Sequence, residues 1–276
     1  MAISLKDLKS VKSVLPPRGL IYGPAGKGKT TLGSEFPAPV FLQVEEGTPG
    51  DLELNSFGHL QSYEKVMEAL AALYAETHEF STVVVDGIDK LEPLVWKATC
   101  EANNWDSIEA PGYGKGYIAA DEYWRDFLEG LNALRKDRGM AIVLIAHSEI
   151  IRFDDPRSAS YSRFDFRLHK RAHALIEDEM DMILFVNDDV SVDKEDQGFN
   201  KKRAVAKDTT QTWIYTQGRP SLNAKNRYGM PAKIIYKKGD GFKKLAPYFP
   251  GSNLPKEAEH ADSEAAPATT GKKKAA

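Results

Sequence analysis

Eight consecutive residues, Gly23-Pro24-Ala25-Gly26-Lys27-Gly28-Lys29-Thr30, satisfy the pattern G-x-x-x-x-G-K-[ST] and leave few folds open to this chain. The apolar run Gly19-Leu20-Ile21-Tyr22 before them reads as a buried strand, and 29–36 after them as a helix stopped by Pro37 and Pro39. Strand, glycine-rich turn and helix in that order are the context the pattern requires. Glycines let successive backbone N–H groups converge on a phosphate, and the helix N-terminus adds partial positive charge. Lys29 supplies a cation for the β- and γ-phosphates of a nucleotide, and the Thr30 hydroxyl is suited to ligate Mg2+. With Thr31 next on the helix, these residues form the expected phosphate site; the alternative is an ordinary glycine-rich turn.

The rest of the chain keeps the same alternation. Val40-Phe41-Leu42-Gln43-Val44 reads as a second strand, and 63–75 as an amphipathic helix with Val66, Leu70 and Leu73 at helical spacing. Thr82-Val83-Val84-Val85 is a β-branched run suited to a strand covered on both faces. A long helix is predicted at 118–136, before the strand Ala141-Ile142-Val143-Leu144-Ile145-Ala146. Strands and helices in alternation argue for an open α/β fold, a mostly parallel sheet flanked by helices. Beyond Asp188, the short runs Arg203-Ala204-Val205-Ala206, Thr212-Trp213-Ile214-Tyr215 and Lys233-Ile234-Ile235-Tyr236 have no helices between them. They are expected as C-terminal antiparallel strands or a hairpin extending the sheet. The 276 residues, 42% hydrophobic, suffice for one such domain at 18–251. A polar lead-in at 1–17 precedes it, and 252–276, without aromatic or β-branched apolar residues, reads as a disordered tail.

The 37 Lys and Arg against 40 Asp and Glu give a net charge of −3, so the chain is no polycation. The distribution is uneven: 45–129 holds eighteen acidic and five basic residues, 201–244 twelve basic and two acidic. That suggests a basic surface on an acidic body. The single Cys100 excludes an intramolecular disulfide and a thiolate metal cluster. No apolar run approaches the roughly 18 residues of a membrane span, so no membrane association is expected and the default compartment is the cytoplasm.

The strand at Val83-Val84-Val85 ends in Asp86, a carboxylate expected beside the first strand and holding the water shell of Mg2+. Asp89 is expected to cap a helix starting at Lys90. The strand ending at Ala146 runs into His147-Ser148, at the kind of strand end where ligands bind in open α/β sheets.

These segments, with Gly112-Tyr113-Gly114-Lys115-Gly116-Tyr117, Arg167-Leu168-His169-Lys170 and Ala224-Lys225-Asn226-Arg227-Tyr228-Gly229-Met230-Pro231, resemble the phage RecA-like P-loop ATPase family over about residues 15–250. That family includes Sak-type single-strand annealing proteins. The resemblance implies a RecA-like P-loop NTPase core and assigns roles by position. Phe41-Leu42-Gln43-Val44-Glu45-Glu46-Gly47 is similar to the segment whose glutamate polarises the attacking water, here Glu45. Glu46 is the alternative, and Gln43 departs from the Asp usual in RecA. His147 matches the position that senses the γ-phosphate. Lys225 and Arg227 match two basic residues that reach across a subunit interface to the neighbour's ATP. The resemblance therefore implies Mg2+-dependent ATP hydrolysis, stimulated by DNA, in a homo-oligomeric ring or filament on single-stranded DNA. It implies annealing or strand transfer in phage recombination, in the host cytoplasm, with a single-strand-binding protein among the partners.

Between Ile151 and Arg167, cations and rings interleave without a clean period: Arg152, Phe153, Arg157, Arg163, Phe164 and Arg167. Cations follow phosphates while rings stack on bases of any identity. In the RecA-like resemblance the DNA-binding loop follows the sensor strand, as this stretch does. The alternative is a strand pair whose rings pack on the domain, and Asp154, Asp155 and Asp165 weaken the electrostatic case. Residues Gly112 to Tyr117 read either as a second mobile loop, with Lys115 on a phosphate, or as an interhelical turn. Two other functions compete with the recombination ATPase. One is a nucleotide-dependent switch or loader of a replication partner with little intrinsic hydrolysis. The other is a small-molecule kinase, against which no arginine-rich lid segment is evident.

Overall fold

In chain order the elements are β1 (Arg18–Gly23), α1 (Lys29–Ser34), β2 (Pro39–Gln43), β3 (Ser56–His59), α2 (Tyr63–Ala75), β4 (Thr82–Asp86), α3 (Ile88–Asn103), α4 (Lys115–Asp137), β5 (Ala141–Phe153), β6 (Tyr161–Phe166), α5 (Lys170–Glu179), β7 (Met182–Asp196), β8 (Lys202–Tyr215), β9 (Lys225–Asn226), β10 (Lys233–Ile235) and α6 (Gly241–Leu245). They come from a computed structural model that describes residues 15–47, 50–156, 159–196 and 202–252. Arg157, the lead-in up to residue 14 and the tail from residue 253 lie outside the described residues.

The strands form one sheet in the order β10-β8-β7-β1-β5-β4-β2-β3, with β6 added on β5 and β9 on β7. Neighbours from β7 to β3 are parallel, whereas β8, β10, β6 and β9 pair antiparallel. This is the expected α/β architecture, with antiparallel strands in the C-terminal part.

Because side chains alternate along a strand, the sheet has two cores. Leu20, Tyr22, Val83, Val85, Ile142 and Leu144 face the side covered by α2 to α5. Ile21, Val84, Val143 and Ile145 face the other, where Leu32 and Phe36 of the α1 region meet Leu245 and Phe249. Burial on both faces explains why Val83-Val84-Val85 of β4 is apolar without alternation up to Asp86. Helix α2 starts where Ser62 accepts the backbone N–H of Lys65 on its hydroxyl. Among the described residues, no helix is long and apolar enough to cross a membrane.

The structure corrects several expectations. Strand β4 is not beside β1, because β5 lies between them. The long helix begins at Lys115, so Lys115 to Tyr117 are its first turn; Gly112, Tyr113 and Gly114, all at positive φ, make the turn that precedes it. Helix α3 begins at Ile88 after a left-handed Gly87, which places Asp89 inside its first turn and not at the cap. The stretch after His147 takes the alternative form offered for it, a strand pair, here a hairpin: β5 continues to Phe153 and pairs from Ser148↔Phe166 to Phe153↔Tyr161 with β6. Strand β3 and helix α5 were not anticipated from the sequence.

Candidate active site

Parallel register brings the ends of three strands, β1, β2 and β4, to the middle of a fourth, β5. Gly23, closing β1, lies beside His147 of β5; Asp86, closing β4, lies beside Ile145 of β5 on one side and Gln43 of β2 on the other. Glu45 follows just beyond β2. A cleft of about 320 Å3 opens here, lined by Gly28, Lys29, Thr30, Glu45, Asp86 and His147 among others. Small-ligand pockets begin at roughly this volume.

The turn has its shape for steric reasons. A Cβ on Gly23 would lie 2.2 Å from the carbonyl oxygen of Val186 in β7. Gly23→Ala is therefore expected to cost about 1–3 kcal/mol of stability, read as a lower denaturant midpoint at constant slope. A midpoint equal to that of the unmodified protein would show that β7 yields instead. Gly26 and Gly28 have φ of 75° and 82°, a region open to glycine at no steric cost. Pro24 and Ala25 carry the chain between them. Lys27 is turned to β7, its Nζ 2.5 Å from Asp188 Oδ2. Thr31 lines the cleft behind Thr30.

Lys29 is buried, and its Nζ donates to the carbonyls of Gly23 (3.1 Å) and Pro24 (2.9 Å). Burial lowers its pKa below the ordinary lysine value, against the opposing charges of Asp86, Glu45 and Asp89. Thr30 Oγ1 donates to Asp86 Oδ2 at 2.9 Å. Burial pushes the Asp86 carboxyl above its usual range; the Thr30 bond opposes this, and the Glu45 charge adds to it. A buried cation beside an amide-rich turn fits a polyphosphate. A hydroxyl and a carboxylate, both hard oxygen donors, fit Mg2+, which is held through few protein groups plus phosphates and water. The described residues contain no group of three or more His, Cys, Asp or Glu side chains placed to hold a metal ion.

Glu45 and Glu46 part company. Glu45 Oε2 lies 3.7 Å from His147 Nδ1, whereas Glu46, far more exposed, pairs with His59 at 3.2 Å. His147 is held by Asp89: Oδ1 accepts its backbone N–H at 3.1 Å, and Oδ2 faces Nδ1 at 3.1 Å. Burial pushes the Asp89 carboxyl up, but the bonds from His147 prevail and hold it below the usual range. The sequence reading missed this partnership, and it missed Lys238, which lines the cleft and lies 3.7 Å from Asp51. Lys238 belongs to the basic 201–244 stretch, the one signal that pointed toward it. Glu35 after α1 ties the same segment down, accepting from Tyr236 Oη, Gly239 N and Phe242 N at 3.1, 2.7 and 3.1 Å.

Lys225 and Arg227 do not join this cleft within one chain. Strand β9 pairs with the first residues of β7, at the opposite end of the parallel strands. There Lys225 Nζ donates to the Glu177 carbonyl, and Arg227 Nη1 to Asp181 Oδ1 at 3.0 Å.

The hairpin residues divide by face. Arg152 is exposed and bonded to Asp154 (3.2 Å) and Ser160 (3.1 Å). Arg163 donates to Asp165 at 2.7 Å while its guanidinium lies 4.3 Å over the Phe153 ring, which also meets Tyr161. Phe164 is half-buried: its ring stacks on Phe185 of β7 and packs against the core, as in the alternative reading of a strand pair. Arg167 is exposed and donates to the Ser148 carbonyl at 3.3 Å. Lys115 is exposed at the start of α4, away from the hairpin in sequence.

A family model described as AAA domain matches residues 15–228. The chain belongs to this AAA domain family. The match takes in the phosphate turn, Asp86, His147 and the hairpin, and the domain is an AAA-type P-loop ATPase domain. Among solved structures, this AAA domain is similar to the crystal structure of the RadB recombinase, at 14% identity and a TM-score of 0.39, over 73% of this chain and 81% of that chain. Comparison with curated proteins finds no match.

Proposed function

We propose that the chain is a Mg2+-dependent ATPase of RecA-like type that acts on single-stranded DNA as a homo-oligomer, in annealing or strand transfer during phage recombination. One observation carries this reading: β5 contributes His147 to the cleft and continues without a break into the hairpin that bears Arg152, Phe153 and Arg163. A single element thus touches both the candidate phosphate site and the candidate nucleic-acid surface.

In this reading the turn amides and Lys29 hold the phosphates, while Thr30 and Asp86 hold Mg2+. When held there, such an ion would supply positive charge against the phosphates. Glu45 orients and deprotonates the attacking water, and His147 responds to the terminal phosphate. Lys225 and Arg227 act on the nucleotide of a neighbouring copy, which makes hydrolysis depend on assembly; Arg227 must then leave Asp181. The name of the RadB recombinase, a structure similar to this chain, agrees with a recombination role, but the reading rests on the sequence motifs and on β5.

A second reading, a nucleotide-dependent switch that loads a replication partner, draws on the pairing of Arg152 and Arg163 with Asp154 and Asp165, which reduces the free positive charge of the hairpin. ATP turnover measured without nucleic acid, with single-stranded DNA and with duplex DNA separates the two. The recombination reading expects stimulation by the single strand alone, weakening as salt rises. Equal rates in all three conditions favour the switch.

A further inference from the structure

Asp89 is the second residue of α3, with a side chain 2% exposed. Both of its oxygens are taken by one residue, the backbone N–H and Nδ1 of His147. Glu45 Oε2, at 3.7 Å, is a second carboxylate oxygen facing the same ring nitrogen. A nitrogen turned toward two carboxylates carries a hydrogen. A neutral imidazole has one N–H donor and one acceptor nitrogen, so the acceptor is then Nε2, on a ring that lines the cleft.

We infer that Asp89 is a positioning residue, which fixes His147 as the Nδ1–H tautomer and holds its ring at the cleft with Nε2 as an acceptor. The bond to the backbone N–H sets β5 against the start of α3, and the bond to the ring sets the imidazole. Aspartate suits both tasks, since asparagine offers a single acceptor oxygen and glutamate is one methylene longer. In this tautomer Nε2 accepts a hydrogen from water or a hydroxyl and offers none to a phosphate oxygen, so the response of His147 to the terminal phosphate runs through a water between them and not through a direct bond. That consequence rests on the proposed reading of the cleft; the tautomer itself does not.

Ring 15N chemical shifts of His147, assigned by their loss in His147→Gln, read the tautomer in the nucleotide-free protein at mildly alkaline pH. The expected result is a protonated Nδ1 and an unprotonated Nε2. In Asp89→Asn one of the two acceptors becomes an amide NH2. If the backbone N–H keeps the oxygen, Nδ1 must become the acceptor and the proton moves to Nε2. The expected outcome is the Nε2–H pattern, nucleotide affinity within about twofold of the unmodified protein, and turnover lowered by up to about 10²-fold, the range for a misplaced group beside the chemistry. An unmodified protein already in the Nε2–H form overturns the inference, and this needs no variant to fold. An unchanged ring pattern in both Asp89→Asn and Asp89→Ala, the second of which offers Nδ1 no acceptor in any orientation, overturns it as well, whatever their turnover. Because the tautomer is read without nucleotide, a chain that binds no ATP would sink the proposed function while the ring spectrum still decides the role of Asp89.

Discussion

Glu45→Gln is expected to lower ATP turnover by about 10²-fold or more while nucleotide binding survives, the range for loss of a positioned general base. The substitution keeps the size of the side chain and removes only its ability to take a proton. Its surroundings make a steric side effect small: the side chain is about one-third exposed, and its Oε2 faces the His147 ring at 3.7 Å. The close packing on its other side is against Gly87, where an added Cβ would meet the Glu45 Cβ at 3.0 Å. That contact places the Glu45 stem and is indifferent to the amide. Steady-state turnover and direct nucleotide binding, measured on the same preparation, check the expectation. Turnover within about threefold of the unmodified protein would transfer the role of base elsewhere and favour the switch reading.

Asp181→Ala is expected to destabilise the fold by about 3–5 kcal/mol, because it strands cations that the fold has buried. The Asp181 carboxylate, 9% exposed, accepts from Arg135 Nη2 (2.8 Å), Arg227 Nη1 (3.0 Å), Tyr228 Oη (3.1 Å) and Arg18 Nη2 (3.3 Å). Arg135 itself is only 6% exposed and also donates to the Pro16 carbonyl at 2.6 Å. Burial pushes the Asp181 carboxyl up, but the bond from Arg18 and the charges of Arg18 and Arg135 bring it below its ordinary value. A carboxyl depressed in the folded state contributes stability that is present above its unfolded pKa, near 3.9, and lost as pH falls through the folded value. Chemical denaturation across the acid range should therefore show a steeper loss in the unmodified protein than in Asp181→Ala. Parallel acid limbs for the two proteins would mean that the cations find other partners.

The legible part of the site was the part whose signal is local. The phosphate turn is a contiguous motif, and Gly23 and Lys29 need no distant partner to be recognised. The β4 run is apolar on both faces, so its end at Asp86 was evident; its place in the sheet was not, because strand order is decided by crossovers and not by composition. The continuation of β5 was hidden for a different reason. Past Ala146 the chain is half exposed, and Glu149, Arg152 and Asp165 dilute the alternation that Ile151, Phe153, Phe164 and Phe166 carry. The bond between Asp89 and His147 joins residues 58 apart, and nothing in either neighbourhood announces it. Lys225 and Arg227 match a motif by spacing, yet folding places them at the far end of the strands, so any role at a nucleotide belongs to a second copy.

Strand β5 runs thirteen residues from Ala141 to Phe153, with His147 at its midpoint and no glycine or proline to act as a pivot. It therefore has the geometry of a stiff lever. From His147 to Phe153 the arm is about 20 Å at a rise of ~3.3 Å per residue, so a tilt of about 5° at the midpoint would swing the far end by roughly 2 Å. A sub-ångström adjustment at the fulcrum is thereby magnified at the tip, and substitutions that introduce a joint near Ser148 should disconnect the two ends while leaving each intact.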